Sequence, residues 1–248
     1  MLRFLTGATV VCLLLGQAGR VLAEDTAQAI IDKAIKAHGG AEKLAKFKAV
    51  QTSGKGTIEV MGMTLSFTAE GAAQMPDKFK SALHLEIAGM KVTQVQAMNG
   101  DKITITVNGK EAPINDDMRK LVKDQVYAES LTSLLPLKEK SLELSLVGES
   151  KVDGQPAVGV KVASKGHPDV TLYFDKKTDL LVKAEYRTRE PGSNQDYNQE
   201  KLFRDYKDVD GIKTPMKEII QKDGQKFIEV ETLEVKYLEK LDDSAFEP

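Results

Sequence analysis

Apolar and polar residues alternate along most of this chain, and this two-residue period constrains the fold more than any other feature. Residues 158–162 read Val-Gly-Val-Lys-Val, and residues 170–174 read Val-Thr-Leu-Tyr-Phe. Alternation of this kind is typical of strands with one buried face and one solvated face. Further sets of the same period lie at 63–67, 103–107, 142–146 and 180–184.

Turn signals separate these predicted strands. Asn-Gly or Asp-Gly pairs occur at 99–100, 108–109, 153–154, 210–211 and 223–224. Both residue types tolerate the left-handed conformation that two-residue hairpin turns require. Neighbouring strands are therefore predicted to be antiparallel, with about ten strands in series. The stretch from Thr188 to Glu200 is predicted to be a long loop between two strands.

One long strand near the C-terminus changes phase. Ile228 and Val230 share one face of it, whereas Leu233, Val235 and Tyr237 share the other. A slip by one residue indicates a β-bulge, which bends a strand and curves its sheet. The sequence thus predicts a strongly curved antiparallel sheet.

Two helices are predicted beside the strands. The first covers Thr26 to Ala37 and ends at Gly39-Gly40, and the second runs from Asp116 to Leu134 with Asn115 as a cap and Pro136 after it. Each has one apolar face that needs a partner. The predicted fold class is mainly β (α+β), with the helices covering the concave face of the sheet.

The first 23 residues have the pattern of a secretory signal peptide. Arg3 precedes an apolar run from Phe4 to Gly16, and Val21-Leu22-Ala23 resembles a cleavage site. The run is shorter than the roughly 20 apolar residues that span a bilayer. We predict cleavage after Ala23, a single domain over residues 24–248 and a periplasmic location. Cys12 lies inside the apolar run, so the mature chain has no cysteine and no lipidation site.

The charge of the mature chain argues against two classes of partner. Arg3 and Arg20 leave with the signal peptide, which changes the formal net charge from −2 to −4. Nucleic-acid binding needs a basic stripe, and this chain has none. No polybasic patch for a membrane surface and no transmembrane segment are predicted in the mature chain.

A search for catalytic motifs gives no enzyme signature. The chain has no G-x-S-x-G motif, and His38, His84 and His167 lie far apart in the sequence. Gly54-Lys55-Gly56 lacks the remaining residues of a phosphate-binding loop, and 208–211 is better read as a hairpin turn than as a calcium loop. We predict no catalytic residues, no metal site and no cofactor.

Several segments together resemble the LolA-like family of periplasmic lipoprotein-sorting and lipid-carrier domains. The opening helix ends in His38-Gly39-Gly40, and Lys43-Leu44 follow soon after it. The resemblance then continues to the end of the chain through residues 51–57 (QTSGKGT), 152–157 (VDGQPA), 170–182, 205–215 and 241–246 (LDDSAF).

The resemblance implies an unclosed β barrel whose mouth is covered by helices and whose apolar cavity holds acyl chains. We expect Met63, Leu65 and Phe67 on an early strand to line this cavity, facing Leu121, Val122 and Val126 of the second helix. The LolA carrier also has a lid-latching arginine on an early strand. The mature chain has no arginine before Arg119, so it has no counterpart to that residue.

Three classes of function remain open at the level of sequence. The first is a periplasmic carrier or binding protein for lipid or lipoprotein acyl chains. The second is an envelope protein-interaction or sensor module of the same fold, with a protein partner and no transport role. The third is an enzyme of a type that these motifs do not reveal.

Overall fold

The computed structural model describes residues 26–193 and 195–248. The predicted signal peptide, with Cys12 and Ala23, lies outside the described residues. The helices are α1 (Ala27–Ala37), α2 (Ala41–Lys46) and α3 (Asp116–Thr132). The strands are β1 (Ala49–Val60), β2 (Met63–Gln74), β3 (Lys78–Ile87), β4 (Met90–Asn99), β5 (Lys102–Val107), β6 (Lys110–Glu111), β7 (Glu143–Val152), β8 (Gln155–Ala163), β9 (Val170–Asp175), β10 (Leu181–Arg189), β11 (Asp196–Val209), β12 (Ile212–Lys222) and β13 (Gln225–Leu238).

Within the described residues, the thirteen strands form one antiparallel sheet in the order β6-β5-β4-β3-β2-β1-β13-β12-β11-β10-β9-β8-β7. The first and last strands lie side by side in the middle of the sheet, because β1 pairs with both β2 and β13. The two edge strands, β6 and β7, are not joined in this order, so the sheet is an unclosed barrel. The mainly β prediction is confirmed.

The estimate of about ten strands was too low. Two-residue hairpins at Met61-Gly62 and Ala88-Gly89 lack the Asn or Asp that marked the other turns. The predicted loop from Thr188 to Glu200 was also too long, because β10 extends to Arg189 and β11 begins at Asp196.

Bulges decide which side chains face the core on two strands. The register of β1 and β13 shifts between Ser53 and Gly54, which leaves Leu233 as the extra residue and confirms the predicted bulge. A second shift follows Leu181 on β10. Leu181 is buried in the main core while Val182 packs in a separate cluster, so the predicted common phase of 180–184 was wrong.

Local capping sets the limits of the two longer helices. The hydroxyl of Thr26 accepts a hydrogen bond from the amide of Ala29 at 3.1 Å, and the side chain of Asn115 accepts one from Met118 at 2.9 Å. Helix α3 ends at Thr132, two residues before the predicted end, because Leu134 takes a left-handed conformation with φ of 70°.

The helices bury their apolar faces against two limbs of the sheet. Ile31 and Ala34 of α1 and Leu131 of α3 join the main core, which is built on β8 to β11 around Leu172 and Phe174. Nearer the start of α3, Val122 and Val126 form a second cluster with Met98 of β4 and Ile103 of β5. Helix α3 therefore bridges the limb at β4–β5 and the limb at β8–β11.

His38, at the end of α1, is buried in an apolar position of this core. Its Nδ1–H donates to the carbonyl of Ala34 at 2.8 Å, and its ring meets Tyr206 edge-on at 5.7 Å. Burial lowers the pKa of His38 below its ordinary value of 6.5, although the bond to Ala34 opposes this shift. The imidazole is therefore kept neutral in the folded chain.

We expect this histidine to make the fold sensitive to mild acid. Below pH 6.5, His38 binds a proton in the unfolded chain but stays neutral in the folded chain. The contribution of neutral His38 to the free energy of unfolding is therefore fully present above pH 6.5 and is lost as the pH is lowered. The loss is at most about 1.4 kcal/mol per pH unit. Chemical denaturation at pH 7.5 and 5.5 should show a smaller pH-dependent loss for His38→Gln than for wild type. The same replacement of exposed His84 should leave the loss unchanged, and an unchanged loss in His38→Gln would contradict the assignment.

Candidate functional site

The strand register defines which residues share the face of the sheet that carries α3. Phe79 of β3 packs under α3, and Leu85 lies on the same face because it is six residues farther along the same strand. Leu85 pairs with Phe67 of β2, so Phe67 shares this face too. On the β8–β11 side of the sheet, Lys201 of β11 contacts α3. Lys201 pairs with Ile220 of β12, and Ile220 pairs with Ile228 of β13, so all three lie on the face that carries α3. Both routes meet on β1, since Phe67 pairs with Gly56 and Ile228 with Ile58.

Apolar side chains cover this face beyond the reach of the core clusters. We call this surface the apolar stripe. Its residues are Ile58, Leu65, Phe67, Leu85, Val92, Ile220, Ile228 and Val230. Phe67 is buried and the others are half-buried. Among the described residues, no member of the stripe belongs to the hydrophobic clusters that α1 and α3 build. The stripe is thus an apolar surface without a covering helix.

Phe67 owes its position to a glycine on the neighbouring strand. Its ring lies against Gly56, where an added Cβ would overlap both the ring and the carbonyl oxygen of Glu229. Phe67 is only 4% exposed although it lies outside the core clusters. Close packing against Phe67 therefore accounts for the glycine at position 56. This agrees with the prediction that residues 54–56 do not form a phosphate-binding loop.

The opposite face of the same strands is polar. A groove of about 750 Å³ lies at these strands, and Gly56 and the stripe residues Phe67, Leu85 and Val92 also line it. Its polar lining consists of Lys55, Thr57, Ser66, Thr68, His84, Glu86, Lys91, Thr93, Glu229 and Glu231. Lys55 and Glu231 form an ion pair at 3.2 Å on this surface. The sheet is amphipathic at this end, with its uncovered apolar side turned in the direction of α3.

An ionic triad of half-buried side chains lies next to the stripe. The ammonium of Lys201 lies 3.0 Å from both carboxylate oxygens of Glu129 on α3, and 2.9 Å from Glu218 on β12. Glu218 pairs with Val230, and Lys201 pairs with Ile220, so the triad adjoins the stripe directly. It ties the middle of α3 to the sheet.

The protonation states of the triad follow from its surroundings. Burial would lower the pKa of Lys201, but the carboxylates of Glu129 and Glu218 outweigh burial and raise it. Burial raises the pKa of Glu218, while Lys201 opposes this change. Lys201 is therefore a permanent cation, and it lies between two acidic side chains.

The sequence-predicted cavity residues fall into three places. Met63, Leu65 and Phe67 lie on the face that carries the stripe. Val122 and Val126 pack on Met98 and Ile103 of the β4–β5 limb. Leu121 lines a separate depression of about 660 Å³ between the start of α3 and the β10–β11 loop, beside Met118 and Arg189. The joint lining of one ligand cavity by these six residues stays a prediction.

Two structural observations bear on other classes of function. Among the described residues, no three His, Cys, Asp or Glu side chains come together in a group that could hold a metal ion. Within the same part of the chain, none of the helices combines the length and the apolar character needed to span a membrane.

Comparisons with known proteins place the fold. No protein-family model matches the sequence, and no curated protein matches it significantly. Among solved structures, a LolA superfamily protein from Nitrosomonas europaea has a TM-score of 0.59 at 11% identity, covering 90% of this chain and 98% of that one. A domain described as an outer-membrane lipoprotein-sorting protein domain, from Vibrio parahaemolyticus, has a TM-score of 0.52 at 11% identity, with 89% and 97% coverage.

Both neighbours match over nearly their whole length, so the likeness is to the complete fold and not to a shared fragment. The chain has the fold of the LolA superfamily, and the resemblance predicted from the sequence is confirmed at that level.

Proposed function

We propose that this chain is a periplasmic binding or carrier protein that holds an acyl chain of a lipid or lipoprotein against the apolar stripe. The observation that carries the proposal is the stripe itself, an uncovered apolar surface on six adjacent strands of a LolA-type sheet. An apolar surface of this extent in an exported protein indicates a ligand or partner that covers it.

The chemistry of the stripe favours an acyl chain over a peptide. Its side chains are aliphatic apart from Phe67, and they offer no hydrogen-bonding group. The backbone groups beneath them are already used in the strand ladders. A peptide laid on this face would leave its own amides unpaired, which costs free energy, whereas a hydrocarbon chain loses nothing there. Each buried methylene contributes about 0.8 kcal/mol.

Adjacent residues on β2 allow a matched test of this proposal. Leu65 points to the stripe and Ser66 points to the polar groove. We expect Leu65→Asp to weaken binding of a fluorescent long-chain fatty acid by about tenfold or more, because a carboxylate on the stripe would be desolvated by the ligand. Ser66→Asp, one residue away, should bind like wild type.

Circular dichroism should show both variants folded. Equal binding by wild type and Leu65→Asp, or no uptake of fatty acid by wild type, would remove the support for a carrier. Lipid extracted from protein purified from its own cell envelope and identified by mass spectrometry would name the natural ligand.

A protein-interaction or sensor module is the second candidate, and one observation favours it. The sheet ends on β7, an edge of ten residues that bulges after Leu146 and exposes Val147. An open edge can accept an extended segment of an envelope protein as an additional strand. Val147→Lys should weaken such an interaction and leave fatty-acid binding unchanged, so the two candidates are separable. Neither candidate assigns a catalytic step to the chain.

A further inference from the structure

Two hairpin turns in this chain depart from the turn chemistry used in the others. Among the described residues, six two-residue turns place both residues in the left-handed region, and the second residue is always glycine. The first residue is Asn108, Asp153, Asp210 or Asp223 in four of them. In the remaining two it is Met61, with φ of 50°, and Ala88, with φ of 51°.

Methionine and alanine gain nothing from these positions within the protein. Asn and Asp are favoured there because their short polar side chains stabilise the left-handed backbone, whereas other residues with a Cβ lose stability. The side chain of Met61 is 95% exposed, so packing inside the fold does not offset this loss. An unfavourable, solvent-exposed apolar residue at a turn indicates a contact outside the molecule.

Both turns lie at the ends of hairpins whose last residues no longer pair with the neighbouring hairpins of the sheet. The β2–β3 ladder ends at the Phe67–Leu85 pair, and the β1–β13 ladder ends at Ile58–Ile228. Beyond these pairs, β1 and β2 remain paired with each other, as do β3 and β4. We call the two extensions finger 1 (Glu59–Thr64) and finger 2 (Glu86–Lys91).

The apolar stripe continues onto both fingers. Val60 pairs with Met63 and Ile87 pairs with Met90, and alternation places all four on the face of the stripe. Met63 is 52% exposed and Met90 is 65% exposed. An unbroken apolar path therefore leads from the half-buried stripe to the exposed tip at Met61.

We propose that the two fingers dock on a lipid surface and insert Met61, Met63 and Met90 into it. The proposal rests on the proposed function, since the fingers would bring the stripe to the surface from which an acyl chain is taken. Unbranched, flexible methionine side chains suit a fluid hydrocarbon environment.

The composition of the fingers favours a bilayer over a protein partner. Protein interfaces concentrate their energy in Trp, Tyr and Arg anchors, and neither finger contains any of these. The charged residues of the fingers are Glu59, Glu86 and Lys91. The fingers carry no net positive charge, so docking does not depend on anionic lipid. Vesicles of neutral phosphatidylcholine should therefore bind them.

Substitutions at the fingers can separate docking from folding. Met61→Asn installs the residue that the other turns of this chain use, so its unfolding free energy should equal or exceed that of wild type. Co-sedimentation with phosphatidylcholine vesicles should nevertheless fall by about tenfold or more in Met61→Asn/Met90→Thr, because two apolar side chains no longer insert. Leu233→Asn removes an exposed leucine of β13 outside the fingers and should bind vesicles like wild type.

The outcomes distinguish this proposal from the one on which it rests. Fatty-acid uptake without vesicles reports on the stripe, and it should stay intact in Met61→Asn, because Met61 lies at the turn and is not a stripe residue. Failure of wild type to bind neutral vesicles, or equal binding by the double variant, would overturn docking even if fatty-acid uptake persists. If the protein bound only anionic vesicles and salt abolished the binding, the contact with lipid would be electrostatic, and insertion of the methionines would be overturned. Failure to bind vesicles combined with Met61-dependent crosslinking to an envelope protein would assign the fingers to a protein partner and also overturn docking.

Discussion

Replacing Lys201 by methionine is expected to lower the free energy of unfolding by about 3 kcal/mol at pH 7.5. The change removes the cation that lies between Glu129 and Glu218 and leaves two carboxylates facing each other in a half-buried site. We expect the lower end of the range for broken buried pairs because Glu129 is partly exposed. Urea denaturation measures the loss.

The pH dependence of this loss identifies its cause. Without Lys201 the folded state favours protonated carboxyls, so the pKa of Glu218 in the variant should lie even farther above that of the unfolded chain. Stability should therefore recover as the pH falls from 7.5 to 5.5. Adding Glu129→Gln and Glu218→Gln should restore most of the loss at pH 7.5.

A lysine on the same strand provides the control. Lys207 of β11 is exposed, so Lys207→Met should change the unfolding free energy by no more than about 0.5 kcal/mol. A loss in Lys201→Met that is independent of pH and persists in the triple variant would show that Lys201 acts through packing of its aliphatic stem and not through its charge.

The parts of the fold that the sequence predicted are those with local causes. The caps at Thr26 and Asn115 act within a few residues and appear in the structure, as do the Asn-Gly and Asp-Gly turns at 108–109, 153–154, 210–211 and 223–224. The turn predicted at 99–100 is formed one residue later, by Gly100 and Asp101. The hairpins at Met61 and Ala88 were missed because the same turn geometry is formed there by residues that do not favour it. Where local preference and structure disagree, a functional reason is the first to test.

The site depended on long-range relations that a single sequence does not contain. Alternation placed Met63, Leu65 and Phe67 on one face, but which face it was depended on the register of thirteen strands and on their bulges. Glu129 and Lys201 are 72 residues apart and have no common motif, so nothing in the sequence paired them. Pairing of Ile58 with Ile228 across the first and last strands was equally invisible.

The placement of the triad beside the stripe has a consequence for ligand entry. Helix α3 is tied to β11 and β12 through Glu129, and to the β4–β5 turn through the ion pair of Lys123 with Asp101 at 2.8 Å. Two attachments on opposite limbs hold α3 across the sheet while the stripe remains uncovered at the finger end. Under the proposed function, an acyl chain would reach Ile58 and Ile228 from the fingers without displacing α3.

Two phenylalanines of similar burial should respond differently to truncation, and the difference separates core from site. Phe174 is 1% exposed inside the main core under the helices, whereas Phe67 is 4% exposed on the stripe. We expect Phe174→Ala to cost about 3–5 kcal/mol of unfolding free energy, because a closed cavity remains. Phe67→Ala should cost only about 1.5–3 kcal/mol, since its neighbours face an open surface and only the transfer of the ring is lost.

Fatty-acid binding should change in the opposite order. Phe67→Ala leaves a gap beside Gly56 beneath the proposed binding surface and should weaken binding. Phe174→Ala leaves the stripe intact and should bind like wild type at a temperature where it is folded. Urea denaturation and fluorescent fatty-acid titration on the same two variants test both statements. If Phe67→Ala were as destabilising as Phe174→Ala and bound fatty acid normally, the stripe would be an outlying part of the core, and the edge at β7 would become the better candidate for the functional surface.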